Sequence, residues 1–317
     1  MQAHRYKPRP QIFNYSYQIY FCLLFLIDFN ILKISERFVT VDAALSKIST
    51  PLGDLSRRDA ILFGAGAVGY GKILGDTLSK LARGDERPAL HENKVKDTFA
   101  LAFQTAINNA DGVQARPLRI LELGVGNDFR TVQRGLYEGA IKILDESEIY
   151  KGFDLYGIDV DSPSDTNLKK AKEKLSILSQ NPTSLQFSLG DAAEINFPID
   201  YFDVVTCCLV LCSVDDQLKV LNEIKRVLRP DGAFGWVEHV AVNKDLDDGH
   251  EILEFQQKFF DPLQQKVAHN CHLHRNTDDV ILDVFSSSVS QGNVERFFVD
   301  DMWPVSCQVC GVVCNKI

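Results

Sequence analysis

From Pro117 onward, short apolar runs alternate with stretches whose apolar residues recur at helical spacing. That alternation predicts a mostly parallel sheet with helices on both faces. Arg119 to Leu123 reads as a first strand, closed by Gly124. Phe129, Val132, Leu136, Ala140 and Ile143 then share one helical face. Asp154 to Asp159 is a second strand, and Leu168, Ala171, Leu175 and Leu178 mark the helix after it. Leu185 to Leu189 and Phe202 to Cys208 are the third and fourth strands. Ser213, with Asp216 three residues on, predicts a capped helix with a buried stripe of Leu218, Leu221, Ile224 and Leu228, stopped by Pro230-Asp231-Gly232. Ala233 to Val240 is the fifth strand, and Val294 to Val299 with Val305 to Val313 form a late hairpin. The expected fold is α/β: a doubly wound, mostly parallel seven-stranded sheet with an antiparallel C-terminal hairpin, plus an N-terminal extension.

In such a sheet, ligands bind outside the carboxyl ends of the strands, where the strand order reverses. The first strand runs into Glu122-Leu-Gly124-Val-Gly126-Asn-Asp128-Phe129. Two glycines let the backbone turn sharply and approach a ligand. A dinucleotide fingerprint would need a third glycine at position 129, where Phe129 stands. The second strand ends in Asp159, whose carboxylate suits a pair of ribose hydroxyls. The third ends in Gly190-Asp191-Ala192, which places an acid where an adenine amino group could donate.

The ordered blocks LELGVG, YGIDVD, LGDAAEINFPIDYFDVV and EIKRVLRPDGAFGWVEHV resemble class I S-adenosylmethionine-dependent methyltransferases of the methyltransferase-11 type, over residues 117–317. The resemblance implies S-adenosylmethionine as cofactor. It implies that Glu122, Gly124 and Gly126 wrap its methionine part, that Asp159 binds the ribose, and that Asp191 with the Ala192 backbone reads the adenine. Cys208, at the end of the fourth strand, completes the cofactor set. Leu209-Val-Leu-Cys-Ser-Val214, Trp236-Val-Glu-His-Val240, Gln256-Gln257 with Asp261-Pro262, and Asn270-Cys271 with Arg275 are similar to the methyltransferase-like thiol S-methyltransferases, membrane-associated enzymes with a hydrophobic N-terminus. The sequence departs from the family in two places. Aspartate stands at 128, where glycine is common, and residues 138–153 look inserted.

A small hydrophobic acceptor such as a thiol is therefore the expected substrate. A quinone or lipid C-methyltransferase is the alternative, and a non-catalytic cofactor-binding protein a second. Glu238, His239 and Asp261 are the candidates for proton transfer, each with a plain reading as a packed or hydrogen-bonded core group. Phe255, Phe259, Phe260 and Leu263 predict an apolar face, lining an acceptor pocket or packing on the sheet.

The first 83 residues read differently. Ile19 to Ile27 is an unbroken apolar run behind Arg5, Lys7 and Arg9, too short for a spanning helix but like the core of a signal sequence, with residues 41–43 as a cleavage site. Arg57-Arg58 before a glycine-rich apolar stretch resembles a twin-arginine signal or a surface helix. Residues 1–83 are thus expected to be a targeting or membrane-associating extension, residues 84–116 a linker and lead-in helix, and residues 117–317 the methyltransferase domain. A membrane-associated or organellar location, plastid included, follows as the expectation. The formal net charge of −9 argues against broad nucleic-acid binding. The eight cysteines lack zinc-site spacing beyond the single Cys307–Cys310 pair, and the crowding of His269, Cys271, His272 and His274 is irregular, so no metal centre is expected.

Overall fold

A computed structural model of the protein describes residues 87–286 and 294–315. The apolar run at 19–27, the candidate cleavage site and the paired arginines lie outside the described residues. Within them, α1 (Ala89–Asn108) leads into β1 (Leu118–Leu123), α2 (Arg130–Gln133), α3 (Glu138–Ser147), β2 (Phe153–Asp159), α4 (Asp165–Leu178), β3 (Thr183–Leu189) and β4 (Phe202–Cys208). There follow α5 (Gln217–Val227), β5 (Leu228–His239), α6 (Glu251–Val267), α7 (Thr277–Val284), β6 (Val294–Phe298) and β7 (Cys307–Cys314).

The seven strands lie in the order β3-β2-β1-β4-β5-β7-β6, and only β7 runs against its neighbours. The chain therefore steps outward from β1 to β3, then returns to pair β4 on the other side of β1. At such a reversal, beyond the carboxyl ends of β1 and β4, ligands bind in sheets of this kind. The inner strands β1, β2, β4, β5 and β7 are largely buried because both faces of the sheet are covered there. One core layer joins Phe99 and Phe103 of α1, Ile141 and Leu144 of α3 and Leu175 of α4 to the sheet. The other joins Val220, Leu221 and Ile224 of α5 and Ile281 of α7 to Phe202, Phe234 and Trp236. Cys307 belongs to this second layer and Cys310 to the first, so the single CxxC pair is split across the sheet.

Four local expectations are corrected. Within the 84–116 linker and lead-in helix, the helix already begins at Ala89 and leaves little linker, because Val95, Phe99, Ala102 and Phe103 give α1 a buried face. The expected single helix after β1 is two, α2 and α3, interrupted at Gly135 with φ +65°. Asp216, not Ser213, caps α5: its Oδ1 accepts the Lys219 amide at 3.0 Å. Val220 and Val227 join the buried stripe of that helix, while Leu218 faces solvent.

Asp203 anchors the opposite edge of the sheet. Its carboxylate takes a two-pronged ion pair from Arg116, both contacts at 2.6 Å, and accepts the Arg119 amide at 2.9 Å. Paired this way a buried carboxylate is compensated, and the start of β1 is tied to β4.

Candidate functional site

The loops after β1 and β2 meet through the residues singled out for the cofactor. Gly124 and Gly126 both adopt left-handed backbone, φ +68° and +69°. A Cβ on Gly124 would stand 2.4 Å from Val210 Cγ2, so the β1 and β4 loops approach as closely as they do only because that position is glycine. The Gly126 amide donates to Asp159 Oδ2 at 2.8 Å, and the Asp161 amide donates to Oδ1 at 3.0 Å. The Asp159 carboxylate is thereby oriented while retaining lone pairs, since a carboxylate offers about four acceptor positions. Asp191 holds its own turn by accepting the Ala193 amide at 2.8 Å, and Ala192 packs against the second core layer. These groups share the carboxyl edge of neighbouring strands, and a backbone cradle with two ordered acids fits S-adenosylmethionine.

Glu122 lies deeper. Its carboxylate, 2% exposed, accepts from Thr131 Oγ1 at 2.5 Å and from the Tyr137 hydroxyl at 3.2 Å. Burial pushes it up to about 7, against the pull of those two hydrogen bonds. It holds the chain after β1 from below. Cys208, at the end of β4, has its thiol pushed up to about 11 by burial.

The three proton-transfer candidates have different partners. Glu238 is fully buried and its carboxylate is taken by backbone. The Val210 and Leu211 amides donate to Oε1 at 2.8 and 3.0 Å, and the Cys212 amide donates to Oε2 at 3.3 Å. Burial still raises its pKa against these amides. The carboxylate therefore shapes the loop after β4. His239 turns to Cys271, with Nε2 3.0 Å from Sγ, and its Nδ1 has no partner among the described residues. Burial would lower this imidazole, but the Cys271 sulfur outweighs it and the pKa is raised. Hydrogen bonding with Cys212 holds the Cys271 thiol below its usual range, with His239 acting the same way against burial. Asp261, on α6, accepts from Gln265 Nε2 at 2.7 Å and from the His274 amide at 3.2 Å.

The inward face of α6 is polar, a further departure from expectation. Glu254, Gln257 and Gln264 are buried, and Gln257 bridges the Val242 amide and the Val240 carbonyl. Phe255 is 64% exposed. It starts a chain of rings through Phe259 and Phe260 to Trp303, whose indole N–H donates to Gln256 Oε1 at 2.8 Å. Phe259 and Phe260 are half-buried, outside the fully buried polar stripe of the helix.

One buried network escaped sequence reasoning. Arg87 Nη1 lies 3.2 Å from His91 Nε2, and His91 Nδ1 lies 2.8 Å from Gln308 Oε1. A guanidinium can only donate, so Nε2 accepts and Nδ1 carries the proton. Burial, then the Arg87 charge, lowers His91 to about 4, which keeps the ring neutral. Cys208 Sγ sits 3.7 Å from both Arg87 Nη1 and His91 Nε2. A polar, oriented group thus stands beside the end of β4, supplied by a segment read as linker. The helical spacing of Phe99, Phe103, Ala106 and Ile107 marks the helix but not this network, since His91 and Gln308 lie 217 positions apart.

Comparison with known proteins agrees with this arrangement. A family described as a methyltransferase domain (Methyltransf_11) matches residues 142–235, which include Asp159, Asp191 and Cys208. The human thiol S-methyltransferase TMT1A is 43% identical over 75 residues, covering 24% of this chain and 29% of the relative. The ubiquinone/menaquinone biosynthesis C-methyltransferase UbiE of Vibrio vulnificus (strain YJ016) is 32% identical over 91 residues, 28% of this chain and 29% of that protein. The chain therefore spans under a third of the length of these curated relatives. Among solved structures, the YcgJ protein of Bacillus subtilis is similar at a TM-score of 0.41 and 15% identity, covering 68% of this chain and 99% of that one. With the matched domain, the strand order and the acids at the ends of β2 and β3 in place, the chain carries a class I S-adenosylmethionine-dependent methyltransferase domain.

Proposed function

We propose that this protein transfers a methyl group from S-adenosylmethionine to a small hydrophobic acceptor, and that the acceptor is a thiol. The observation that carries the methyl-transfer reading is the junction at the strand ends, where the Gly126 amide orients Asp159 beside the Gly124 turn. The thiol is supported by the local likeness to thiol S-methyltransferases, 43% identical over 75 residues. When bound, S-adenosylmethionine supplies an electrophilic methyl group, which a nucleophile takes in line with the departing sulfur. Asp159 accepts the ribose hydroxyls, Asp191 and the Ala192 amide take the adenine edge, and Glu122 keeps the β1 loop in shape. Positioning then carries much of the rate.

No proton acceptor of the chain is required for a thiol, because its thiolate is the nucleophile and a free thiol has a pKa of about 8.5. Glu238, with both carboxylate oxygens taken by amides, is a positioning residue in this reading. The apolar surface proposed to meet the acceptor is the linked ring set of Phe259, Phe260 and Trp303.

The test is kcat/KM for a series of alkyl thiols measured across pH. We expect a rise of about 0.8 kcal/mol in transition-state stabilisation per buried methylene, and a rate that climbs with pH toward the thiol's own pKa. A flat chain-length dependence, or turnover of quinones with none of thiols, overturns the thiol reading. The quinone or lipid C-methyltransferase reading has its own support in the 32% identity to UbiE over 91 residues. A non-catalytic cofactor-binding protein would bind S-adenosylmethionine and turn over no acceptor in the same assay. Residues 1–83 are proposed as a membrane tether in an organelle, plastid included, on the apolar run at 19–27 and the paired arginines.

A further inference from the structure

Three soft ligand atoms converge beside the carboxyl end of β5. Cys212 comes from the loop after β4, His239 is the last residue of β5, and Cys271 follows α6. All three are buried, and their ligand atoms lie within 4.8 Å of one another. Cys271 Sγ stands 3.0 Å from His239 Nε2 and 4.0 Å from Cys212 Sγ. Around a tetrahedral zinc ion, bond lengths of about 2.3 Å to sulfur and about 2.0 Å to nitrogen put two sulfurs about 3.8 Å apart, and a sulfur and nitrogen about 3.5 Å apart. The two sulfurs already have nearly that spacing. The imidazole and Cys271 would separate by about half an ångström, and His239 and Cys212, within 4.8 Å of each other, would reach the same spacing.

We propose that Cys212, His239 and Cys271 bind a thiophilic divalent cation, Zn2+ foremost, which staples the segment after α6 to the edge of the sheet. Two thiolates and an imidazole are the donors that zinc takes, and the oxygen ligands that magnesium or calcium need are missing from the set. Three protein donors leave the fourth tetrahedral position to water or another small donor. As the two metal–sulfur bonds form, each cysteine that enters as a thiol gives up its proton to the solvent.

The ligand-bearing segments are held together without the ion. The Asn270 side chain donates to the Ser213 carbonyl at 3.1 Å, and the His272 amide donates to the Cys212 carbonyl at 2.9 Å. Arg275 reaches the Leu211 and Val214 carbonyls at 3.2 and 2.7 Å. Glu238 fixes the Cys212 amide from the other side. A site so preorganised loses little freedom when the ion enters. The crowded histidines read from the sequence are not among these three ligands, and His274 Nε2 lies 3.8 Å from Glu254.

The test uses the full chain, tag-free and reduced, with Zn2+ and Co2+ alone as probes. We expect uptake of a single equivalent of Zn2+, and with Co2+ the sulfur-to-cobalt charge-transfer and tetrahedral d–d absorption of a two-thiolate site. Cys212→Ser and Cys271→Ser should each remove the charge-transfer intensity, whereas Cys314→Ser should leave it unchanged. A second measurement needs no variant: Zn2+ should protect Cys212 and Cys271 from alkylation, read by peptide mass, and a chelator should restore labelling. Absence of uptake together with unprotected cysteines overturns the proposal. So does mild oxidation that joins Cys212 to Cys271 in a protein that takes up no Zn2+, which would make the pair a redox couple.

Discussion

Asp159 does two jobs with one carboxylate. It ties the loop after β1 to the end of β2 through the Gly126 amide, and it presents its remaining lone pairs to the ribose hydroxyls. Asp159→Ala should therefore weaken S-adenosylmethionine binding by about 1.5–3 kcal/mol, the range for a hydrogen bond to a charged group. Calorimetry checks this, and an unchanged affinity would remove Asp159 from the site. Glu122 makes a different forecast, because its role is read through pH. Its pKa rises from 4.5 to about 7 on burial, so the folded protein holds this proton more tightly than the unfolded chain. The contribution of Glu122 to stability is then full below about 4.5 and lost as pH climbs through about 7. In thermal melts, Glu122→Gln should remove that loss, so its Tm should fall less than the wild-type Tm across the window. Parallel slopes for the two proteins would contradict the assignment.

At the scale of elements, α1 is held close to the sheet by the smallness of one residue in β5. A Cβ on Gly235 would stand 3.0 Å from Ala102 Cβ and 3.5 Å from the Thr98 carbonyl. Gly235→Val should push α1 outward and cost about 1–3 kcal/mol, the usual penalty for overfilling a packed layer. A drop in Tm measures it, and a stability equal to wild type would mean that the helix yields freely. The strands were legible because most are short apolar runs, and β1, β2 and β3 are bounded by glycine, aspartate or proline. Asp159 and Asp191 were legible for the same reason, as acids where such runs end. The helices were less so. The polar first turns of α1 resemble a linker until Phe99 and Phe103 are seen packing, and α6 buries Glu254, Gln257 and Gln264 in place of its phenylalanines. His91 with Gln308, and Cys212 with His239 and Cys271, are brought together only by strand order and loop docking, which no local spacing encodes.

At the scale of the molecule, every group assigned to the cofactor lies beyond Pro117, and the helix that completes the core begins at Ala89. Removal of residues 1–83 should therefore leave a folded domain that binds S-adenosylmethionine with unchanged affinity. A truncated chain that is folded by circular dichroism yet fails to bind would show that the N-terminal segment builds part of the site. The position of β7 has a consequence for how the protein is made. This strand lies between β5 and β6, pairs along β5 from Ala233 to His239, and supplies Gln308 to His91. While the ribosome is still short of residue 307, β5 faces solvent with a row of unpaired amides and carbonyls, and such an edge invites pairing with other chains. Synthesis of the protein thus passes through a stage in which the first five strands can assemble but the sheet is open, and the neighbourhood of His91 is finished only when the newest residues thread into its middle.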